Sequence, residues 1–516
     1  MARKWWTLAL ISIATFMLLL DITVVNVALP DIQRDLDASL SSLQWVVDAY
    51  SLTLAAFLLT AGSLGDRLGR RRVFSLGFGT FTLASFLCGI AGDATLLNLA
   101  RGLQGVGGAA MFATSLALIG QEFQGRDRAT AFGVWGATIG GAVAVGPLVG
   151  GLLTEHLGWE WIFFVNVPIG VTAILLTELR LANVAAQDAQ RLDLPGLVTF
   201  SIALFLLIFG LIRGNPEGWD STVILASLIG SGVLLALFLA IERRSSHPML
   251  ELTLFRKPAF NGVSAVAFGL SAGMFAMFLY ITIYVQSVLG YSPLDAGLRF
   301  LPLTLLSFAV APIAGGLSHR VPIRALLGAG LATVGVGLLL MRGLSPDSGW
   351  TALLAGFIVA GAGIGMTNPG IGQAAIAVVP PARAGMGSGI NTTFRQVGIA
   401  TGVAALGAVF QSRIESRLSE LLPGAPNGLG DAVSSGGVDA AVGAAKAAPG
   451  GGPSPDQVAT ASKIAFVGAL NDILLIGALV AFVGAALGFA LVRSRDFVPQ
   501  GAPETAPEAE PEPVAA

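Results

Sequence analysis

Hydrophobic positions in this chain come in long unbroken runs rather than in alternation or on one helical face. Fourteen runs predict membrane-spanning helices, at residues 5–29, 43–65, 72–92, 95–120, 129–153, 160–180, 194–213, 220–241, 259–289, 294–318, 323–343, 350–378, 384–411 and 464–493. About 20 apolar residues suffice to cross the hydrocarbon core as a helix. Continuous runs exclude a transmembrane β-barrel, whose strands alternate. Most connections are short, so successive helices are expected to be antiparallel neighbours. Two stretches break the pattern. Residues 421–462, rich in Gly, Ala, Pro and Ser, predict a long external loop without helical period. The proline-rich acidic tail 499–516 predicts disorder. The expected fold class is an all-α polytopic membrane protein with fourteen transmembrane helices. Its first run lacks a small-residue cleavage site and is expected to remain as helix 1.

The runs repeat. AGSLGDR at 61–67 ends run 2, and AGGLSHR at 314–320 ends run 10. Gly105, Gly107 and Gly108 in run 4 are matched by Gly361, Gly363 and Gly365 in run 12. This spacing predicts two six-helix pseudo-repeat bundles plus two inserted helices, the layout of many secondary transporters. The expected divisions are 1–180 for the first bundle, 181–258 for the inserted helices, and 259–498 for the second bundle with an external loop at 413–463.

Composition sharpens the class. Hydrophobic residues make up 54% of the chain and charged ones 12%, against about 25% charged in soluble domains. Mean hydropathy is +0.77. A net charge of −2 offers no basic field for nucleic acid. One cysteine, Cys88, excludes an internal disulfide, and three scattered histidines (His156, His247, His319) argue against a metal site. No GxxxxGK[ST] loop is present, so ATP is not the expected driver, and no cofactor is expected. The basic residues are mostly arginine, a bias that hints at a high-GC bacterium. Arg67, Arg70, Arg71, Arg72, Arg126, Arg128, Arg243, Arg244, Arg320 and Arg324 fall on one side of the predicted membrane. Positive charge favours the cytoplasmic side, so both termini are expected there.

Several segments, in order, resemble one family. They are LDITVVNVALP (20–30), QWVVDAY (44–50), GSLGDRLGRRR (62–72), LARGLQGVGGAA (99–110), AVAVGPLVGG (142–151), WEWIFFVNVPIG (159–170) and GAGIGMTNP (361–369). The chain resembles the major facilitator superfamily, in particular its fourteen-helix drug/proton antiporter family. The resemblance covers nearly the whole chain except the long loop and the tail. It implies a bacterial plasma-membrane monomer, driven by the proton gradient. Its implied task is exporting hydrophobic, often cationic, drugs or antibiotics by alternating access. Export of a self-made metabolite, lipid or amino acid fits the same features. A membrane enzyme or sensor fits them poorly, because clustered catalytic residues and a soluble domain are missing from the sequence.

Three charged residues sit well inside the first four apolar runs: Asp21, Asp48 and Arg101. At 1.5 Å per residue they lie roughly 8–13 Å below one end of their helices, at similar depth. Intramembrane charges face a partner or a cavity. Asp21 and Arg101 can form a structural ion pair, or a site where a proton and a substrate compete for one carboxylate. Burial favours a neutral carboxyl and a guanidinium favours an ionised one. Two acids close together would titrate as a coupled pair. In the resembled family the helix 1 acid is implicated in coupling and the helix 2 acid, in some members, in recognising cationic drugs. Asp48 can instead snorkel to the interface.

Gly62, Gly65 and Gly69 are expected to allow close approach and a tight turn. Asp66 is expected to cap helix 3 or pair with Arg67, Arg70 or Arg71. The resemblance makes this loop a cytoplasmic latch. Its second copy carries His319 for Asp66 and is expected to be degenerate. Pro147, after Gly146, is expected to kink run 5, with Gly150 and Gly151 admitting a neighbouring helix. The family associates that motif with antiport. Arg395 (NTTFRQVG, 391–398) reads as a structural anchor, Arg299 as a partner of Asp295, and Asp472 as interfacial. Runs 9 to 13 carry no acid in their middles, which disfavours a doubly charged cation as substrate.

Overall fold

The computed structural model describes residues 3–38, 40–181, 193–245, 248–318, 320–423, 428–447 and 453–498. Among them there are helices and no strands. We number the long helices α1 (Arg3–Asp35), α2 (Leu40–Leu68), α3 (Arg70–Gly89), α4 (Ala94–Glu122), α5 (Gly125–Leu157), α6 (Trp161–Arg180), α7 (Leu194–Glu217), α8 (Thr222–Arg244), α9 (Pro258–Val288), α10 (Pro293–Leu317), α11 (Ile323–Leu340), α12 (Leu354–Ala377), α13 (Ala384–Leu421), α14 (Leu429–Ala447) and α15 (Pro455–Leu491). Thirteen of these are long and apolar enough to cross a membrane. The 33-residue α5 runs among them, packed on α1 and α10.

Local chemistry sets several starts. Asp93 caps α4, accepting from the amides of Thr95 (2.8 Å) and Leu96 (2.9 Å). Asp193 caps α7 through Gly196, and Ser292 caps α10. Ser454 and Gln457 form a reciprocal capping box at α15. Each cap satisfies amides that the first helical turn leaves without intrahelical partners. Leucines and valines such as Leu76, Leu99, Leu179 and Val233 stay exposed on the outer face, as a lipid-facing surface requires. Burial separates the layers: 78% of the most apolar stretch of α4 is buried against 22% for that of α8. So α4 is central and α8 peripheral.

Close helix approach rests on small residues. On α4, a β-carbon at Gly107 would meet the backbone of Gly77 at 2.9 Å. On α12, one at Gly363 would meet the carbonyl of Gly330 at 2.6 Å. The two glycine runs thus play matching parts, α4 against α3 and α12 against α11.

The structure corrects two expectations of shape. The stretch 421–462 is not all irregular: it carries α14, and α13 and α15 reach into it to Leu421 and Pro455. Leu429, Val433 and Ala441 are buried against the apolar core of the second half. A sparse stripe at helical spacing, diluted by Gly and Ala, concealed this helix from hydropathy. Gly437 interrupts it with φ 74°, a conformation glycine adopts freely. Run 9 is a helix broken by two π turns, Ser271–Phe275 and Tyr284–Val288. His319, His247 and the tail 499–516 lie outside the described residues.

Candidate functional site

The first cluster forms where α1, α2, α3, α4 and α6 meet. Asp21 and Arg101 are ion-paired, each with a side chain 1% exposed. Arg101 also donates to the carbonyl of Val46 (2.9 Å) and to Gln104 Oε1 (2.7 Å). Its guanidinium lies 4.4 Å from the centre of the Tyr50 ring. Gln104 Nε2 donates to the other oxygen of Asp21 (2.9 Å) and to Ser85 Oγ (3.2 Å). Asn166 Nδ2 donates to that same hydroxyl at 3.0 Å. Both oxygens of Asp21 are therefore paired, and the cluster is shut away from solvent. Cys88 is buried against it, its sulfur 3.8 Å from Gln104 Oε1.

The structure does not bring Asp48 into this cluster. Two residues along a helix turn a side chain through about 200°, so Tyr50 faces Arg101 while Asp48 faces α7. There Arg213 lies 3.6 Å from Asp48, donates to Gln44 Oε1 (2.8 Å) and pairs with Glu217 (2.8 Å). Trp45 stacks on Phe209 beside them. This contact ties the inserted helices to α2. Sequence reading missed Arg213 as a partner because it stands at the very end of run 7, where a charge can reach the interface without one. Gln104 was legible, standing one turn from Arg101 on the same face.

The loop between α2 and α3 forms a second site. Gly69 turns the chain with φ 99°. Asp66 does not cap α3, whose N-cap Gly69 offers no side chain. Instead it pairs with Arg70 (2.9 Å) and accepts from the amides of Gly385 (2.9 Å) and Met386 (2.8 Å). It thus caps α13, in the other half of the chain. Arg70 also reaches the carbonyl of Pro381 (2.6 Å) and Gln121 (3.3 Å). Arg71 binds the carbonyls of Glu178 and Leu181, and Arg67 that of Pro248. A β-carbon on Gly62 would collide with the Gly385 carbonyl. At the repeat-related place, one on Gly315 would lie 2.5 Å from the Ala129 carbonyl of α5. The two copies of the repeat thus form two matching seams, α2 on α13 and α10 on α5. The end of the molecule that carries the arginine loop is closed by them. The first and last described segments lie at this end too, through Lys4–Asp127 and the bond from the Val498 amide to the Ala377 carbonyl.

Within α5, Gly146 and Gly150 pack on α1 one turn from Asp21. A β-carbon at Gly146 would overlap the Thr23 side chain, and one at Gly150 would lie 3.2 Å from the Val24 backbone. Gly151 faces open space, with nothing near it to admit. Pro147 lies within the uninterrupted helix Gly125–Leu157.

Arg395 on α13 is 9% exposed and donates to Asn368 Oδ1 on α12 at 3.2 Å. Arg299 pairs with Asp295 (3.2 Å), and Asp472 with Arg417 (2.9 Å). Tyr280 and Tyr284 are buried packing residues whose hydroxyls donate to backbone carbonyls.

Known proteins share this plan. The Major Facilitator Superfamily profile matches residues 11–403. The chain is 38% identical over 413 residues to the multidrug resistance protein Stp of Mycobacterium tuberculosis, covering 80% of this chain and 77% of that one. It is 39% identical over 412 residues to the puromycin resistance protein pur8 of Streptomyces alboniger, covering 79% and 82%. The crystal structure of the human organic anion transporter MFSD10 superposes with a TM-score of 0.61 at 13% identity, over 93% of this chain and all of that one. At that identity the likeness concerns the fold alone.

Proposed function

The chain belongs to the Major Facilitator Superfamily, and from that premise we propose that it is a proton-coupled antiporter exporting hydrophobic, amphipathic drugs or antibiotics by alternating access. It is a multi-pass membrane transporter and not an enzyme. The relatives named for multidrug and puromycin resistance support drug export as its task. One observation carries the mechanism: Asp66 of α2 caps α13 across the seam, with Arg70 on the Pro381 carbonyl. Such a contact closes one end and is lost when the halves rock apart. We take the arginine-rich end as cytoplasmic, by the excess of basic residues there. Both termini are then cytoplasmic, and the protein sits in a bacterial plasma membrane as a monomer. The closed seam corresponds to a state that releases cargo outward.

The proton gradient is the driver in this reading, and no cofactor takes part. Its electrical part is worth about 2.3 kcal/mol per charge per 100 mV. Asp21 is the coupling carboxylate, with Arg101 and Gln104 as its partners. Because both its oxygens are occupied in the closed state, proton uptake requires that Arg101 or Gln104 let go. Gly146 and Gly150 of α5 press on α1 beside it, so movement of α5 is a direct way to loosen that pair. Asp48 serves to anchor the inserted helices through Arg213, and cation recognition passes to the groups lining the opened cavity.

The test uses inverted vesicles and a fluorescent amphipathic dye. A pH jump drives uptake by the wild type, and ATP without a gradient drives none. Asp21→Asn is expected to lower gradient-driven transport at least tenfold while Asp48→Asn keeps coupling. Normal proton-coupled transport by Asp21→Asn removes Asp21 from the mechanism.

A further inference from the structure

Among the described residues, Arg395 is a buried cation without a counter-ion. It stands 11 residues into α13 from Ala384, roughly 16 Å along the helix, about half the hydrocarbon thickness. Among the described residues no carboxylate pairs with it. Helices α9 to α13 cannot supply one: their acids, Asp295, Glu415 and Glu420, stand at the end away from the arginine loop, and Asp472 of α15 is paired with Arg417. Asp21 and Asp48 are already taken by Arg101 and Arg213. An unpaired intramembrane charge is costly and marks function by default.

The surroundings add donors rather than acceptors. Asn368 spends its oxygen on Arg395, which leaves its Nδ2 buried and unpartnered. Asn391, one turn from Arg395 on α13, is 3% exposed and its Nδ2 is also unpartnered. Ser271 is fully buried with a free hydroxyl, and its Cβ would lie 3.1 Å from a β-carbon at Gly398, one turn beyond Arg395. Ser271 opens the π turn Ser271–Phe275, and the Phe275 ring centre is 5.8 Å from the guanidinium. π turns inside helices are frequent at functional sites. Buried polar groups are normally satisfied, and here a planar cation, two amide donors and a hydroxyl await one acceptor. An aromatic ring flanks them.

We infer that Arg395, with Asn368, Asn391 and Ser271, binds the anionic group of an amphipathic substrate, a carboxylate or phenolate joined to an aromatic body. This deepens the export reading and rests on it for the word substrate. A guanidinium matches a carboxylate through two parallel hydrogen bonds, and Phe275 offers a face to the adjoining ring. Cargo would thereby be held by the second half, while the coupling carboxylate lies in the first.

Two xanthene dyes of similar shape test this: fluorescein as the anion and rhodamine 123 as the cation. Their binding to the purified full chain in detergent is followed by anisotropy, with no gradient present. Arg395→Gln is expected to weaken fluorescein at least tenfold and rhodamine 123 less than twofold. Arg395→Lys restores part of the fluorescein affinity, and Asn368→Ala weakens it about threefold. Should Arg395→Gln fail to fold, the Lys and Asn368→Ala variants carry the same comparison. Fluorescein binding that ignores these changes, or that falls in step with rhodamine 123, overturns the assignment. Gradient-driven dye export is measured separately in vesicles. Its persistence with an overturned anion site leaves the export reading standing, and its absence with an intact anion site does the reverse.

Discussion

The ion pair of Asp21 and Arg101 shows what a buried charge demands of its neighbours. Arg101 has donors on several sides, and Val46, Gln104 and Asp21 take them while Tyr50 covers the guanidinium face. Removing one partner of such a pair leaves the other charge buried and costs about 3–5 kcal/mol. Arg101→Ala is therefore expected to lower thermal stability in detergent sharply. Asp21→Asn, which keeps the shape and the bond from Gln104, should lower it less; a larger loss for Asp21→Asn than for Arg101→Ala contradicts this picture. Cys88 gives a built-in probe of the same cluster, being buried and the chain's single cysteine. Its alkylation by a maleimide should be slow at rest and rise at least tenfold under a pH gradient with dye present. An unchanged rate during turnover would mean that the cluster stays shut.

At the scale of elements, the seam between α2 and α13 depends on two glycines facing each other and on one shared cap. Gly62→Val places side-chain atoms where the Gly385 carbonyl stands, so the seam cannot close. Transport should fall at least tenfold while the protein still inserts. Asp66→Ala removes a cap worth about 1 kcal/mol, which shifts an open–closed equilibrium roughly fivefold. Spin labels at the exposed positions Leu68 and Ala382 should then report a larger share of long distances, and an unchanged distribution would deny Asp66 that role. The runs, their order and the repeat were legible in the sequence because apolar length and glycine spacing are written locally. The partners were not. Nothing near Asp66 in the chain announces Gly385 and Met386, over 300 residues away. Likewise Arg213 meets Asp48 only because the inserted helices fold back on α2. Helix α14 escaped notice for another reason: its buried stripe of Leu429, Val433 and Ala441 is too thin to raise hydropathy.

For the whole molecule, the matching seams of α2 on α13 and α10 on α5 make opening a single motion rather than several. Fixing either seam should arrest the other, so a cross-link between α10 and α5 is expected to abolish the Leu68–Ala382 distance change. Persistence of that change would show that the seams move independently. The cap that α13 borrows carries a further consequence. Arg383, at the head of α13, pairs with Glu251 and caps none of the helix's amides, so two amides lose their acceptor together whenever Asp66 withdraws. Water entering the gap replaces it there. Each stroke must therefore draw solvent into the parting crevice and expel it on return, and osmotic stress from polymers too large to enter should stall the cycle with that crevice dry.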